Sequence, residues 1–163
     1  MQVLIADRKG VPSNSVRPDR IDFDTALRTS TVIVLTLPLS PSSTNLISAA
    51  EFATMRPDAI LINVSRGGIV DEEELVKAIK EKKIAGAATD VYFEEPAGRE
   101  NVLVRAAEEF KVNEGGEWDG FEGRLVLSPH VAWFARSSIE KLRRTVVENV
   151  EAWVKGDAKN LVG

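Results

Sequence analysis

The chain has 163 residues, of which 44% are hydrophobic and 28% charged, the proportions of an ordinary globular domain. Its net charge is −4 and its basic residues cluster at most in pairs, which argues against a nucleic-acid or anionic-membrane partner. It contains no cysteine, which excludes disulfides and thiolate metal sites and favours a reducing, cytoplasmic location, and no apolar run approaches the ~18 residues of a membrane span.

Five apolar runs predict the strands of a sheet. They are continuous rather than alternating, which is typical of parallel strands covered on both faces. In chain order they occupy residues 2–6, 31–37, 59–64, 84–91 and 125–127.

Helical signals lie between these runs, so the sequence predicts an α/β fold with a parallel sheet. Ser48 and Glu51 have the spacing of a capping box, and Asp71 is placed to cap the next helix. The remaining predicted segments are helices over residues 102–110 and 137–156 and surface loops over residues 10–20 and 113–123.

Three polar side chains that follow apolar runs are the candidates for chemistry. Arg66 stands in Ser-Arg-Gly-Gly, Glu95 in Asp-Val-Tyr-Phe-Glu-Glu-Pro, and His130, the only histidine, in Pro-His-Val-Ala-Trp. A guanidinium binds a carboxylate through two parallel hydrogen bonds, and an imidazole exchanges protons near neutral pH. Together with a carboxylate, these are the groups that reduction of an α-keto acid requires.

These three motifs, in this order, resemble those of the D-isomer-specific 2-hydroxyacid dehydrogenases, and the Pro-His-Val-Ala-Trp box is most similar to the glycerate dehydrogenase/hydroxypyruvate reductase branch. The resemblance implies NAD(P)-dependent interconversion of a small D-2-hydroxy acid and its 2-keto acid. It also implies three catalytic roles. Arg66 would bind the substrate carboxylate or keto oxygen, His130 would be the acid/base, and Glu95 would hydrogen-bond to His130.

The resemblance also implies a set of cofactor-binding residues. Asp90 would contact the nicotinamide carboxamide, and Asp7 would accept hydrogen bonds from the adenosine ribose and thereby select NAD. Arg8 and Lys9, which follow Asp7 directly, would suit the 2′-phosphate of NADP, so NADP stays an alternative. The riboses would be lined by Leu37, Pro38, Val64 and Ser65.

The nucleotide domain of that family is a doubly wound, Rossmann-like sheet whose first strand leads into the phosphate-binding loop G-x-G-x-x-G. The present sequence contains no such loop and starts where the second strand would stand. We therefore expect residues 1–163 to form a partial dinucleotide-binding domain that lacks the first strand and the glycine-rich loop. In it, residues 2–6, as the second strand of the family's sheet, would close directly onto the fourth strand, and the helix over residues 137–156 would lead back to a substrate domain.

Because the glycine-rich loop is missing, a second function stays open beside the enzymatic one. The chain could serve as a non-catalytic dinucleotide-binding scaffold or oligomerisation partner, with a homodimer as the simplest assembly, or be an inactive fragment. A family of corepressors that bind the same cofactor shares the Pro-His-Val-Ala-Trp box, so Trp133 does not separate an enzyme from a scaffold. If the chain is enzymatic, the implied binding partner is its substrate, a small 2-hydroxy or 2-keto acid.

Overall fold

The computed structural model of the protein describes residues 2–112 and 120–161. The chain divides into two compact units, Met1–Pro129 and His130–Gly163. The first unit contains a parallel sheet with its helices, and the second contains one long helix. The predicted loop over residues 113–123 lies largely outside the described residues.

Strands and helices alternate along the first unit. It begins with a short 3-10 helix, Ser13–Ser15. The strands are β1 (Val32–Leu35), β2 (Ile60–Asn63), β3 (Gly86–Thr89) and β4 (Leu125–Leu127). The helices are α1 (Phe23–Thr29), α2 (Ala49–Thr54), α3 (Glu72–Lys80) and α4 (Val102–Val112). The second unit holds α5 (Arg136–Val154), which begins one residue earlier and ends two residues sooner than predicted.

The four strands form one parallel sheet in the order β1-β2-β3-β4. One row of paired residues crosses all four strands, from Val34 through Ile62 and Ala88 to Val126. Each strand is joined to its neighbour by a crossover that contains a helix, as parallel pairing requires. The predicted α/β, Rossmann-like parallel sheet is thereby confirmed.

Local signals explain where the helices begin. Ser48 and Glu51 form the predicted capping box at the start of α2. The side chain of Asp71 accepts a hydrogen bond from the backbone N–H of Glu74 at 3.1 Å and so caps α3, also as predicted. Helix α1 was not predicted, although Asp22 caps it in the same way through the backbone N–H of Thr25 at 2.7 Å.

Only one face of the sheet is well buried, contrary to the expectation from the continuous apolar runs. Leu35, Leu61 and Leu125 are buried in the core, together with side chains from the helices that include Phe52, Ile79, Leu103 and Phe110. On the opposite face, Val32, Val34 and Val126 are 49%, 50% and 56% exposed. The reason is the strand order: right-handed crossovers between successive neighbours place all their helices on the same side of a sheet.

Residues 2–6 do not join the sheet, so the predicted direct closure of the second strand onto the fourth is wrong. The sheet ends at β1, and residues 2–6 make a single isolated parallel bridge, between Ala6 and Ile21. The backbone N–H of Asp7 donates to the Ile21 carbonyl at 2.8 Å, and the N–H of Ile21 donates to the Ile5 carbonyl at 2.9 Å.

Within residues 2–112 and 120–161, no helix combines the length and the apolar character needed to cross a bilayer.

Candidate active site

The turn that carries Arg66 is built by Asn63, the last residue of β2. The side-chain oxygen of Asn63 accepts hydrogen bonds from the backbone N–H and the hydroxyl of Ser65, at 3.2 and 2.9 Å. Its side-chain N–H donates to the Arg66 carbonyl at 3.1 Å. Asn63 and Ser65 are buried whereas Arg66 is exposed, so a fixed turn presents a guanidinium at the surface. Sequence reasoning missed Asn63, although side-chain-to-backbone bonding of this kind is typical of asparagine in turns.

Gly67 brings this turn against the one that follows β3. A Cβ atom built on Gly67 would lie 1.6 Å from the carbonyl oxygen of Tyr92 and 2.7 Å from the backbone nitrogen of Phe93. Any side chain at this position would therefore push the two turns apart, and only glycine permits the observed approach.

The turn after β3 holds Asp90, Tyr92 and Glu95. A carboxylate oxygen of Glu95 accepts the backbone N–H of Tyr92 at 3.0 Å, while the Glu95 side chain is exposed. Asp90 is buried, and its carboxylate accepts a hydrogen bond from the Ser128 hydroxyl. The structure thus brings the Arg66 turn, Asp90 and the Glu95 turn together at the carboxyl ends of β2 and β3.

Tyr92 is a second residue that sequence reasoning missed. Its side chain is buried, and its hydroxyl donates to the backbone carbonyl of Ser128 at 3.0 Å. Burial, and after it the nearby carboxylate of Asp90, raises the pKa of the Tyr92 phenol. Tyr92 is therefore a neutral hydrogen-bond donor under ordinary conditions.

A cavity of about 570 Å³ opens beside the Arg66 turn. It lies past the carboxyl ends of β1 and β2, where open α/β sheets bind their ligands. Its lining contains all four residues predicted to face the riboses, together with Arg66: Leu37, Pro38, Val64 and Ser65. Thr36 and Leu39 complete the lining.

Asp7 lies at the end of residues 2–6, as predicted, but its carboxylate is already bound within the chain. The side chain is buried, and Arg17 contacts both of its oxygens through guanidinium hydrogen bonds of 2.7 and 3.2 Å. These bonds, supported by the backbone N–H groups of Arg17 and Arg8, hold the pKa of Asp7 well below its usual range.

His130 is the first residue of the second unit. Its backbone has a φ of 54°, in the left-handed region that non-glycine residues seldom adopt, and its carbonyl accepts a hydrogen bond from the indole of Trp133 at 2.8 Å. Residues held in such conformations cluster at functional sites. That His130, Glu95 and Arg66 meet in one cleft stays a prediction.

The residues of the first unit fit part of a dinucleotide. The cavity is lined by apolar side chains, by the hydroxyl residues Thr36 and Ser65 and by Arg66, which suit a ribose and a nicotinamide ring. The sequence has no G-x-G-x-x-G, so a pyrophosphate group would not find its usual glycine-rich loop in this chain.

Comparison with known proteins identifies the family of the chain. The family model described as "D-isomer specific 2-hydroxyacid dehydrogenase, NAD binding domain" matches residues 1–132. A glycerate dehydrogenase of Methylorubrum extorquens is 38% identical over 142 residues, which are 87% of this chain and 41% of that protein. A glyoxylate reductase of Thermococcus litoralis is 35% identical over 150 residues, which are 92% of this chain and 40% of that protein.

Among solved structures, the D-lactate dehydrogenase of Lactobacillus jensenii with NAD+ superimposes with a TM-score of 0.73 at 25% identity, covering 98% of this chain and 48% of that one. The chain thus spans less than half the length of these relatives. By the match over residues 1–132, it belongs to the D-isomer-specific 2-hydroxyacid dehydrogenase family, within the NAD-binding domain.

Proposed function

We propose that this chain provides the cofactor-binding and acid/base part of an NAD(P)-dependent dehydrogenase that interconverts a small D-2-hydroxy acid and its 2-keto acid. The observation that carries the proposal is the contact between the Arg66 turn and the Glu95 turn through Gly67 and Tyr92. Tyr92 also binds Ser128, which lies two residues before His130 in the sequence.

The chemistry divides among the three groups. Arg66, exposed on its fixed turn, would bind the substrate carboxylate with its planar pair of N–H donors. His130 would give a proton to the keto oxygen during reduction and accept it from the hydroxyl during oxidation. Glu95 would accept a hydrogen bond from the imidazole and so hold the ring in its working orientation. When bound, the nicotinamide supplies the hydride chemistry at the substrate carbon.

The cofactor would occupy the cavity beside Arg66. Leu37, Pro38, Val64 and Ser65 would contact the riboses, as their position in the lining supports. Asp90 would approach the nicotinamide carboxamide, and Asp7 would stand beside the adenosine ribose. We propose NAD as the cofactor, in agreement with the family to which the chain belongs.

We further propose a homodimer in the cytoplasm. The apolar side chains along α5 are exposed and would leave water if two chains paired: Leu142, Val146, Val150 and Trp153. The absence of cysteine supports a reducing compartment. Sedimentation equilibrium of the purified chain would separate a dimer from a monomer.

The enzymatic proposal is tested by following NADH oxidation with hydroxypyruvate or glyoxylate as the substrate. We expect turnover that is lost in His130→Gln, a change that keeps a polar side chain but removes the imidazole. The exposed pair Arg56 and Asp58, which hydrogen-bond to each other at 2.8 and 2.9 Å, offers Arg56→Met as a control with unchanged turnover. Binding of NADH without turnover would favour the scaffold function, and turnover that survives His130→Gln would remove His130 from the mechanism.

A further inference from the structure

The peptide group between Tyr92 and Phe93, in the turn after β3, is held from both sides. Its carbonyl oxygen lies so close to Gly67 that no Cβ would fit between them. Its N–H donates at 2.7 Å to a carboxylate oxygen of Glu72, the first residue of α3. Because the carbonyl and the N–H of a trans peptide group point in opposite directions, these two contacts define the orientation of the whole planar group.

Glu72 is itself held by the start of the next helix. Its second carboxylate oxygen accepts a hydrogen bond from the side-chain amide of Asn101 at 2.8 Å. The side-chain oxygen of Asn101 accepts the backbone N–H groups of Leu103 and Val104, at 2.9 and 3.3 Å, and so caps α4. Leu103 is buried in the core, so the carboxylate of Glu72 is connected to a well-packed part of the first unit.

The bond from the Phe93 N–H to Glu72 should be a strong one. Hydrogen bonds to an ionised acceptor are roughly twice as strong as those between neutral groups. The first turn of a helix also stabilises a negative charge, and Glu72 stands there, partly buried. Glu73, the next residue in the same turn, is exposed.

Two different carboxylates therefore bind two successive N–H groups of the turn. The N–H of Tyr92 is accepted by Glu95, and the N–H of Phe93 is accepted by Glu72. The first bond lies within the turn and moves with it, whereas the second joins the turn to α3. Rotation of the peptide group between them would redirect the Glu95 carboxylate, and Glu72 opposes that rotation.

We propose that Glu72 is a positioning residue for the dehydrogenase reaction. By binding the Phe93 N–H, it fixes the turn in the conformation that directs the Glu95 carboxylate toward the imidazole of the acid/base. Glu72 acts through Glu95 and not through contact with the substrate. The inference rests on the proposed function, since it assumes the role given there to Glu95.

The test measures kcat and KM for hydroxypyruvate and the Kd for NADH in variants of the purified chain. Glu72→Ala should lower kcat about tenfold, because a misplaced catalytic group costs rate even when all the groups are present. The KM and the Kd for NADH should stay unchanged, since the cavity is lined by other residues, among them Leu37 and Ser65. Glu73→Ala, which removes a carboxylate from the same helical turn, should change none of the three constants.

A conservative variant separates positioning from a general loss of stability. Glu72→Gln keeps an oxygen that can accept the Phe93 N–H but cannot also accept the Asn101 amide, so it should retain most of the natural kcat even if it unfolds at a lower temperature. Glu72→Asp keeps the charge at the start of α3 but withdraws the acceptor by one methylene, so it should lose kcat as the alanine variant does. Glu72→Asp therefore replaces Glu72→Ala if thermal unfolding shows that the alanine variant does not fold.

Amide hydrogen exchange, followed by NMR, reports on the same bond without turnover. The Phe93 amide should exchange faster in the Glu72→Ala or Glu72→Asp protein than in the natural chain, because its acceptor is lost. An unchanged kcat in a folded variant, or unchanged exchange at Phe93, would overturn the inference but leave the proposed function standing. Absence of turnover in the natural chain would overturn both.

Discussion

The phenol of Tyr92 donates a hydrogen bond to the backbone carbonyl of Ser128 across 3.0 Å. The backbone N–H of the same tyrosine is held by Glu95, also at 3.0 Å. Because Ser128 precedes His130 by two residues, Tyr92 connects the turn of the proposed carboxylate with the start of the histidine segment. It is the only tyrosine in the chain, so a single substitution isolates this connection.

Tyr92→Phe should lower the free energy of unfolding by about 0.5–1.5 kcal/mol, the net contribution of one hydrogen bond, because the ring stays buried and only the hydroxyl is lost. Urea denaturation measures the change. Phe93→Leu, on the exposed neighbouring ring, serves as the control and should change stability by less than about 0.5 kcal/mol. Equal stability of Tyr92→Phe and the natural chain would mean that the bond to Ser128 contributes nothing in solution.

Gly67→Ala should be among the most damaging small substitutions in the chain. The added Cβ would lie 1.6 Å from the Tyr92 carbonyl oxygen, so the Arg66 and Glu95 turns would have to separate. We expect a loss of about 3 kcal/mol, at the upper end of ordinary overpacking, together with loss of turnover.

Gly98→Ala is the matched control for this substitution. No heavy atom lies within 4 Å of a Cβ built on Gly98, so the change should be close to neutral. Thermal unfolding of the two variants side by side gives the comparison. Similar stability of both would show that the close approach of the two turns does not persist in solution.

The sequence was sufficient for the strands of the sheet and for the caps at Ser48 and Asp71, because these depend on local patterns of apolar and polar residues. It failed for residues 2–6, whose apolar character is that of a strand but whose backbone partner is Ile21. Local composition does not determine which segment a strand-like segment pairs with, because that pairing depends on the whole arrangement of the chain.

The same distinction holds within the site. Arg66 and Asp90 were identified from motifs that surround them, and the structure places their turns together. Three residues were missed. Tyr92 and Arg17 act through contacts with residues that are distant in the sequence, Ser128 and Asp7, and Asn63 acts through the geometry of a single turn. No periodicity or spacing in a single sequence reports such contacts.

The contribution of Asp7 to stability should disappear at low pH. Its pKa in the folded chain lies below the ordinary value of 3.8, chiefly through the Arg17 side chain. Below pH 3.8 the unfolded chain therefore binds a proton at Asp7 that the folded chain does not, and stability falls as the pH falls.

Asp7→Asn tests this dependence by urea unfolding at neutral pH and at pH about 3. The natural chain should be the more stable of the two at neutral pH, and the difference should shrink in acid. A difference that stays constant over this interval would show that the carboxylate gains nothing from Arg17 on folding.

The left-handed backbone at His130 gives a prediction that separates backbone strain from the loss of the imidazole. His130→Gly and His130→Ala both remove the ring, and both should abolish turnover. At a φ of 54°, however, alanine keeps a steric cost of about 1–2 kcal/mol that glycine does not have, offset in part by the greater freedom of glycine in the unfolded chain.

The glycine variant should therefore be the more stable by about 1 kcal/mol, measured as a higher midpoint of thermal unfolding. Ala132→Gly, two residues further on and without a positive φ, should instead lower the midpoint, because there glycine brings only its entropic cost. Were His130→Gly no more stable than His130→Ala, the histidine would not be held in the left-handed conformation in solution. If His130→Gly were more stable yet inactive, the strained backbone at residue 130 would be explained by the function of the imidazole. This is expected where the orientation of an acid/base side chain is more important than the stability of the fold.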